Sequence, residues 1–304
     1  MNDSVQEIIN NPDYKLLRRV PVQIPSVNYQ DPKIFIGTII DLETMGMDPK
    51  SDEIIEIGIL SFSFTNGDGI INIFDSYNEL QDPGKPIPAE ITKVTKITDE
   101  DVKGKAIDWN LVYSILSQSH VIICHNSQFD RNFLELQTPD VIKKVVEKKP
   151  FACTIADIDW KGRGYESSKL EYLNFKLGYF YEGHRAIVDC WATLNLLIQE
   201  KGAFDELKSN VRRKEAIICA VNAPFDKKDM LSARKYRWSD GTKSLPKCWH
   251  ITLNIDELSL EREWLDEHIY LKSGASNSLP YSEINAFTRY SLRAHKIEKS
   301  NQEK

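Results

Sequence analysis

No apolar stretch in this 304-residue sequence approaches 18 residues, so nothing in it reads as a membrane span. The opening Met1-Asn-Asp-Ser-Val-Gln-Glu is polar and acidic, which is wrong for a secretory leader. Cysteine is sparse: Cys124, Cys153, Cys190, Cys219 and Cys248 lie far apart, with no paired metal-ligand spacing. That distribution argues for reduced structural thiols and a cytoplasmic chain. No internal repeat is visible. An excess of positive charge is missing too, the net charge being −6, so composition alone does not advertise a nucleic-acid binder. The total hides an asymmetry. Between Lys208 and Trp249 there are eleven Lys and Arg against four acids, a local +7 that leaves −13 for the remainder.

What is present suits a packed α/β protein, with 41% apolar residues. Residues 1–33 read as an arm, with a short helical stretch around Tyr14-Lys-Leu-Leu-Arg-Arg and breaks at Pro21, Pro25 and Pro32. Three strand-like runs follow, at 34–41, 53–64 and 70–77. The turn signal Thr65-Asn-Gly-Asp-Gly69 joins the last two into an antiparallel meander. Thr98 and Asp101 have capping-box spacing for a short helix. A helix near 109–117 leads into a strand at 121–124. Helices are expected at 128–136, 139–147, 168–177 and 186–200. This order gives a mixed sheet flanked by helices. Beyond Lys201-Gly202 the character changes. Two apolar runs, 216–221 and 248–253, enclose a basic aromatic stretch and suggest a small α+β module. The expected division is 1–33, 34–203 and 204–304, with a frayed charged tail over the last dozen residues.

The chemistry concentrates in short acidic patches. Phe35-Ile-Gly-Thr-Ile-Ile-Asp41-Leu-Glu43 closes an apolar strand with two carboxylates, which alternation places on one face. Side by side they repel unless cations neutralise them, and hard oxygen donors select Mg²⁺ or Mn²⁺. Taken alone, the pair reads more readily as a solvated strand end. Val121-Ile-Ile-Cys-His-Asn-Ser-Gln-Phe-Asp130 ends a second strand. There Asn126 is placed to cap the next helix, and Asp130 falls in its first turn, where negative charge is favoured anyway. His125 reads as a packing residue. His184-Arg-Ala-Ile-Val-Asp189 adds a histidine after Gly183 and a fourth acid. Together, four acids and one histidine can hold two divalent ions against a phosphodiester while the histidine deprotonates a water.

These residues resemble the DEDD exonucleases of the histidine subtype, relatives of the proofreading subunit of bacterial replicative polymerase, oligoribonuclease and ribonuclease T. The first motif is Ile-Asp41-Leu-Glu43-Thr44, continuing into Asp52-Glu-Ile-Ile-Glu56-Ile-Gly58. The second is His-Asn126-Ser-Gln-Phe129-Asp130, and the third His184-Arg-Ala-Ile-Val-Asp189-Cys-Trp-Ala-Thr193. The resemblance covers about 34–197. It departs at Lys96, where many relatives have glycine. It implies a ribonuclease H-like mixed five-stranded sheet flanked by helices, and 3′-to-5′ release of nucleoside monophosphates with two divalent cations, Mg²⁺ or Mn²⁺. By the same resemblance Asp41, Glu43 and Asp189 hold one ion, Asp41 and Asp130 serve the second, and His184 is the general base. Leu42, Thr44 and Met45 line the terminal nucleotide through backbone contacts and an apolar wedge, with Asn126 and Phe129 as further substrate contacts.

The stretch Pro224 to Trp238, ending at Lys247-Cys-Trp249, resembles a small module fused to some bacterial exonucleases. Arg234, Lys235, Arg237 and Trp238 are its candidate nucleic-acid contacts, with Tyr236 and Trp249 as further stacking surfaces. Equally, the aromatics form the module's core and the lysines its solvated face, or the surface docks a protein. Three functional readings stand: an exonuclease on DNA, one on short RNA, and a nucleic-acid or polymerase-binding module with an incidental nuclease site. The added module favours DNA over RNA, with a polymerase or repair protein as candidate partner and no membrane.

Overall fold

The computed structural model describes residues 10–23, 27–242 and 245–295. The expected break at Pro25, residues 243–244 of the C-terminal loop and the charged tail past 295 lie outside them. The chain divides into two compact units, Met1–Val211 and Arg212–Lys304.

In the first unit the arm contributes strand β1 (Arg18–Arg19) in place of the expected helix. Its backbone bonds run sideways to Gly178 and Phe180, so tertiary pairing overrides local helical preference. The meander follows as β2 (Phe35–Thr44), β3 (Ile54–Thr65) and β4 (Gly69–Leu80). The turn between β3 and β4 is closed by the Asp68 N–H donating to Thr65 Oγ1 at 2.8 Å. Next come helices α1 (Ala89–Thr95), α2 (Asp99–Val102) and α3 (Trp109–Gln118). The capping box of Thr98 and Asp101 is formed at the start of α2. Lys96 ends α1 in the left-handed region, at φ 62°. Glycine, which the resemblance leads one to expect here, reaches that conformation without a Cβ penalty.

Strand β5 (Val121–Cys124) then leads through α4 (Ser127–Gln137) and α5 (Asp140–Glu147) into β6 (Phe151–Cys153). Helix α6 (Leu170–Lys176) and strand β7 (Tyr179–Phe180) precede α7 (Ala186–Gln199) and α8 (Ala203–Val211). The main sheet has five strands in the order β4-β3-β2-β5-β6. β2, β3 and β4 are antiparallel, while β5 and β6 run parallel to β2, which makes the sheet mixed, as expected for a ribonuclease H-like fold. β3 is buried almost throughout, the pattern of a strand covered on both faces. One core layer packs Ile39, Leu60, Phe62 and Ile123 of the sheet against Leu194 and Leu197 of α7 and Phe204 and Leu207 of α8. Because α8 fills this core, the first unit runs through Val211, eight residues past the expected division at 203.

The second unit is α+β. It contains β8 (Glu215–Ala220), α9 (Lys228–Ala233), β9 (Arg237–Asp240), β10 (Lys247–Asn254), α10 (Leu258–Trp264) and β11 (Tyr281–Ile284). Its sheet has four strands in the order β11-β8-β10-β9. Ile218, Leu231, Tyr236, Leu265 and Ile269 form one core beside it.

Candidate active site

Asp41 and Glu43 project from the same face of β2, and the strand register decides what they meet. Asp41 lies opposite Gly58 and Glu43 opposite Glu56. Gly58 leaves room for the start of α7: a Cβ there would lie 2.4 Å from the Ala186 carbonyl carbon. Helix and strand therefore touch backbone to backbone, and Asp189, in the first turn of α7, arrives beside the β2 pair. One carboxylate oxygen from each of Asp41, Glu43 and Asp189 lies within 4.8 Å of the others. Asp130 comes from the first turn of α4. It is buried, and its Oδ1 accepts the Leu42 N–H at 3.1 Å, which ties it to the residue between Asp41 and Glu43.

The electrostatics follow from this crowding. Burial, then the neighbouring Asp189, Asp130, Glu43 and Glu56, hold Asp41 well above the ordinary carboxylate range. Glu43 is pushed up to about 8, by burial first and by Asp189 next. Burial raises Asp130 to about 8. It raises Asp189 only to about 6, because the His184 N–H donates to Asp189 Oδ2 at 2.8 Å and offsets part of the cost. The donor set is all carboxylate. The nearby thiol of Cys190 is turned away, donating to the Gly58 carbonyl at 3.4 Å. Clustered hard oxygen donors fit divalent magnesium or manganese, and cations there would relieve the mutual repulsion of the acids.

His184 stands at the rim. Its backbone is left-handed, φ 65°, and the residue is exposed. Gly183 precedes it, with the Tyr181 ring 3.3 Å from where a Cβ would sit, and the Tyr181 hydroxyl bonds to Asp189.

Two residues that the motif reading quoted without a role organise this corner. Glu56 is fully buried and holds Arg185, accepting from Nη2 at 2.8 Å and Nε at 3.2 Å. It also accepts the Ala186 N–H at 3.0 Å, satisfying an orphan donor in the first turn of α7, and the Asn78 amide at 3.1 Å. One acid thus anchors the residue after His184 and the helix that carries Asp189. The available signal was an acid in an otherwise apolar run, Ile54-Ile-Glu56-Ile. Its partner became visible only with the fold.

His125 is structural. Its ring nitrogens engage Thr154 Oγ1 at 2.7 Å and the Ser168 carbonyl at 2.9 Å, and burial lowers its pKa to about 4. Asn126 occupies the N-cap of α4, but its side chain makes no cap hydrogen bond, contrary to expectation. Its backbone φ of −135° and ψ of 71° depart from the usual cap geometry, and the residue is exposed. Phe129 packs on Phe133, with centroids 4.8 Å apart. Leu42 and Thr44 are buried, and Met45 packs into a core cluster with Ile55, Ile87, Ile97 and Val102. The apolar side chain that reaches solvent on this loop is Met47, 77% exposed.

In the second unit Arg234 has a partner of its own. It grips Glu261 with two nitrogens, at 2.9 and 2.8 Å, and stacks over Trp264. Tyr236 is a core residue whose hydroxyl donates to Glu261 at 2.9 Å, so it offers no stacking face. Lys235 and Arg237 are exposed. Trp238 is 52% exposed and meets Trp249 edge-on.

Comparison with known proteins bears on the first unit. The family model described as Exonuclease matches residues 38–197. The PolC-type DNA polymerase III of Clostridium perfringens is 30% identical over 176 residues, covering 57% of this chain and 11% of that protein. The DNA polymerase III subunit epsilon of Treponema pallidum is 29% identical over 163 residues, 52% of this chain and 73% of its own length. The chain thus spans about a tenth of the PolC-type polymerases it matches. Among solved structures, exonuclease X with 5′-overhanging duplex DNA is 20% identical and covers 57% of this chain and 99% of its own, with a TM-score of 0.41. The zinc-bound E. coli exonuclease I complex with single-stranded DNA is 12% identical over 73% of this chain and 63% of its own, with a TM-score of 0.49.

Proposed function

Given that the chain belongs to the exonuclease family, we propose that it removes nucleotides singly from the 3′ end of DNA, preferring unpaired ends, and releases nucleoside 5′-monophosphates. The observation that carries this reading is the convergence of the Asp41, Glu43 and Asp189 oxygens within 4.8 Å, with Asp130 tied to the same strand and an exposed histidine at the rim.

Asp41, Glu43 and Asp189 would hold one divalent cation, and Asp41 with Asp130 would serve a second. Bound there, such ions would polarise the scissile phosphate and favour ionisation of the attacking water. His184 takes the proton from that water on a ring nitrogen, a task that suits an imidazole at neutral pH. Water oxygen bonds to phosphorus as the 3′-oxygen of the preceding nucleotide leaves. Tyr181 and the His184 N–H hold Asp189 in place. Leu42 and Thr44 meet the terminal nucleotide through their backbone, flanked by Asn126 and Phe129. Met47, exposed where Met45 is not, supplies the apolar wedge.

The second unit contacts the nucleic acid through Lys235, Arg237 and Trp238. A polymerase or repair protein is the associated partner, and the cytoplasm the place of action. Among the described residues no helix is long and apolar enough to cross a membrane. The test is digestion of 5′-labelled and 3′-labelled DNA and RNA oligonucleotides with Mg²⁺. A 5′ label should shorten one nucleotide at a time, while a 3′ label should appear at once as mononucleotide. Faster hydrolysis of short RNA than of DNA would overturn the substrate assignment, and release from the 5′ end the polarity.

A further inference from the structure

The N-terminal arm is built into the corner that carries the rim histidine. Arg18 and Arg19 pair in parallel with Tyr179 and Phe180. The Arg18 N–H donates to the Gly178 carbonyl and the Val20 N–H to the Phe180 carbonyl, both at 2.9 Å, and Val20 is buried. Strand β7 runs straight on into Tyr181, which bonds Asp189, and then into Gly183 and His184. Arg18 and Arg19 are nonetheless exposed. The Arg19 guanidinium lies over the Phe180 ring, 4.9 Å from its centroid, and Phe180 is 40% exposed. Lys15 repeats the arrangement one step away, 4.1 Å over the ring of Phe175, itself 44% exposed.

Cations fixed beside half-open aromatic rings are the parts of a single-strand track, in which phosphates meet the charges and bases stack on the rings. The site next door needs one. Its lining of carboxylates, Asp41, Glu43, Asp130 and Asp189, offers a polyanion no grip of its own on the phosphates upstream. The contact that restrains Arg19, to Glu182 at 3.9 Å between largely exposed side chains, is weak and easily exchanged for a phosphate.

We infer that Arg18, Arg19 and Phe180 form a subsite for the nucleotides of a single-stranded polynucleotide that lie more than one step upstream of the scissile bond. This rests on the exonuclease reading above. The subsite grips strand length and does no chemistry.

The test compares the full chain with Arg18→Ala/Arg19→Ala, Arg18→Lys/Arg19→Lys and Phe180→Ala, on a single strand of about a dozen nucleotides and on a dinucleotide. The alanine pair should raise KM for the long strand roughly three- to twentyfold, in keeping with exposed charge contacts, and leave kcat within about twofold. The magnitude of its salt slope should fall by about 1.4, the single-strand value for two lost phosphate contacts. Dinucleotide hydrolysis should not change, the lysine pair should keep most of the affinity, and Phe180→Ala should weaken binding without altering the salt slope. Unchanged KM and salt slope in the alanine pair, with wild-type cleavage intact, would overturn the subsite alone. A wild type that cleaves no polynucleotide overturns both readings. Equal losses on the dinucleotide would make the arm a brace for the histidine loop and overturn the track.

Discussion

Replacing Glu43 by glutamine should stabilise the protein in chelator, and the gain should depend on pH. Glu43 is half-buried opposite Glu56 and within reach of Asp41 and Asp189. Its folded pKa is about 8 against an ordinary 4.5. The sign follows from that rise. Below pH ~4.5 the carboxyl is protonated in both states and its contribution is fully present. As pH climbs through about 8 the folded state must ionise an acid it holds unfavourably, and stability is lost. At about 1.4 kcal/mol per pKa unit the full shift would amount to between 4 and 5 kcal/mol, an upper bound. The side chain is only half-buried and its neighbours relax when one charge goes, so about 2 kcal/mol is the expected gain at pH 9. In thermal melts that is a rise of roughly 4 to 8 °C for a unit of this size. At pH 4 the variant and the wild type should melt together. Saturating Mg²⁺ should reverse the order at pH 9, because the wild type then gains ligand stabilisation that the variant has forfeited. A variant that melts lower than the wild type in chelator at pH 9, or a gap that is the same at pH 4 and pH 9, would refute the reasoning.

Three further outcomes are expected. Lys96→Gly should raise stability by about 1 kcal/mol in denaturant titration, because it removes a side chain from a left-handed helix end and the Lys96 Nζ bond to the Lys93 carbonyl, 2.7 Å, is exposed and weak; a loss would mean that this bond outweighs the backbone strain. Gly58→Ala should cost about 3 kcal/mol and most of the activity, since its Cβ would sit 2.4 Å from the backbone of α7 and push Asp189 off the β2 acids; near-wild-type melting and turnover would contradict that packing. His184→Ala should lower kcat about 10²- to 10⁴-fold while calorimetry shows divalent-ion affinity retained; outright loss of affinity would make His184 a ligand.

Much of this architecture was legible in the sequence because it is locally encoded. The β2–β3–β4 meander carries its own turn signal, Thr98 and Asp101 their own capping box, and α7 its own apolar periodicity. The three motifs named Asp41, Glu43, Asp130 and Asp189. What stayed hidden depends on register and tertiary contact. Glu56 could not be paired with Arg185 before the start of α7 was seated on β3 at Gly58. Arg18 and Arg19 favour a helix locally and form a strand because the Arg18 and Val20 N–H groups find the Gly178 and Phe180 carbonyls. β6 is three residues long, too short for alternation to be read. Helix α8 follows a glycine and a charged stretch and looked like the start of a new module, yet Phe204 and Leu207 belong to the first core. For Tyr236 the sequence leaves a stacking surface and a core position equally open, and only its burial and the bond of its hydroxyl to an acid 25 residues away decide for the core.

The central claim is that clustered acids on β2 and α7 carry hydrolysis of a 3′ end. Asp41→Asn tests it most directly. With Mg²⁺ and a 5′-labelled single-stranded DNA, the variant should show no cleavage above background, while its melting temperature in chelator equals or exceeds that of the wild type, because a repelling charge has gone. Cleavage by the variant at a rate near that of the wild type would contradict the account and place the catalytic site elsewhere.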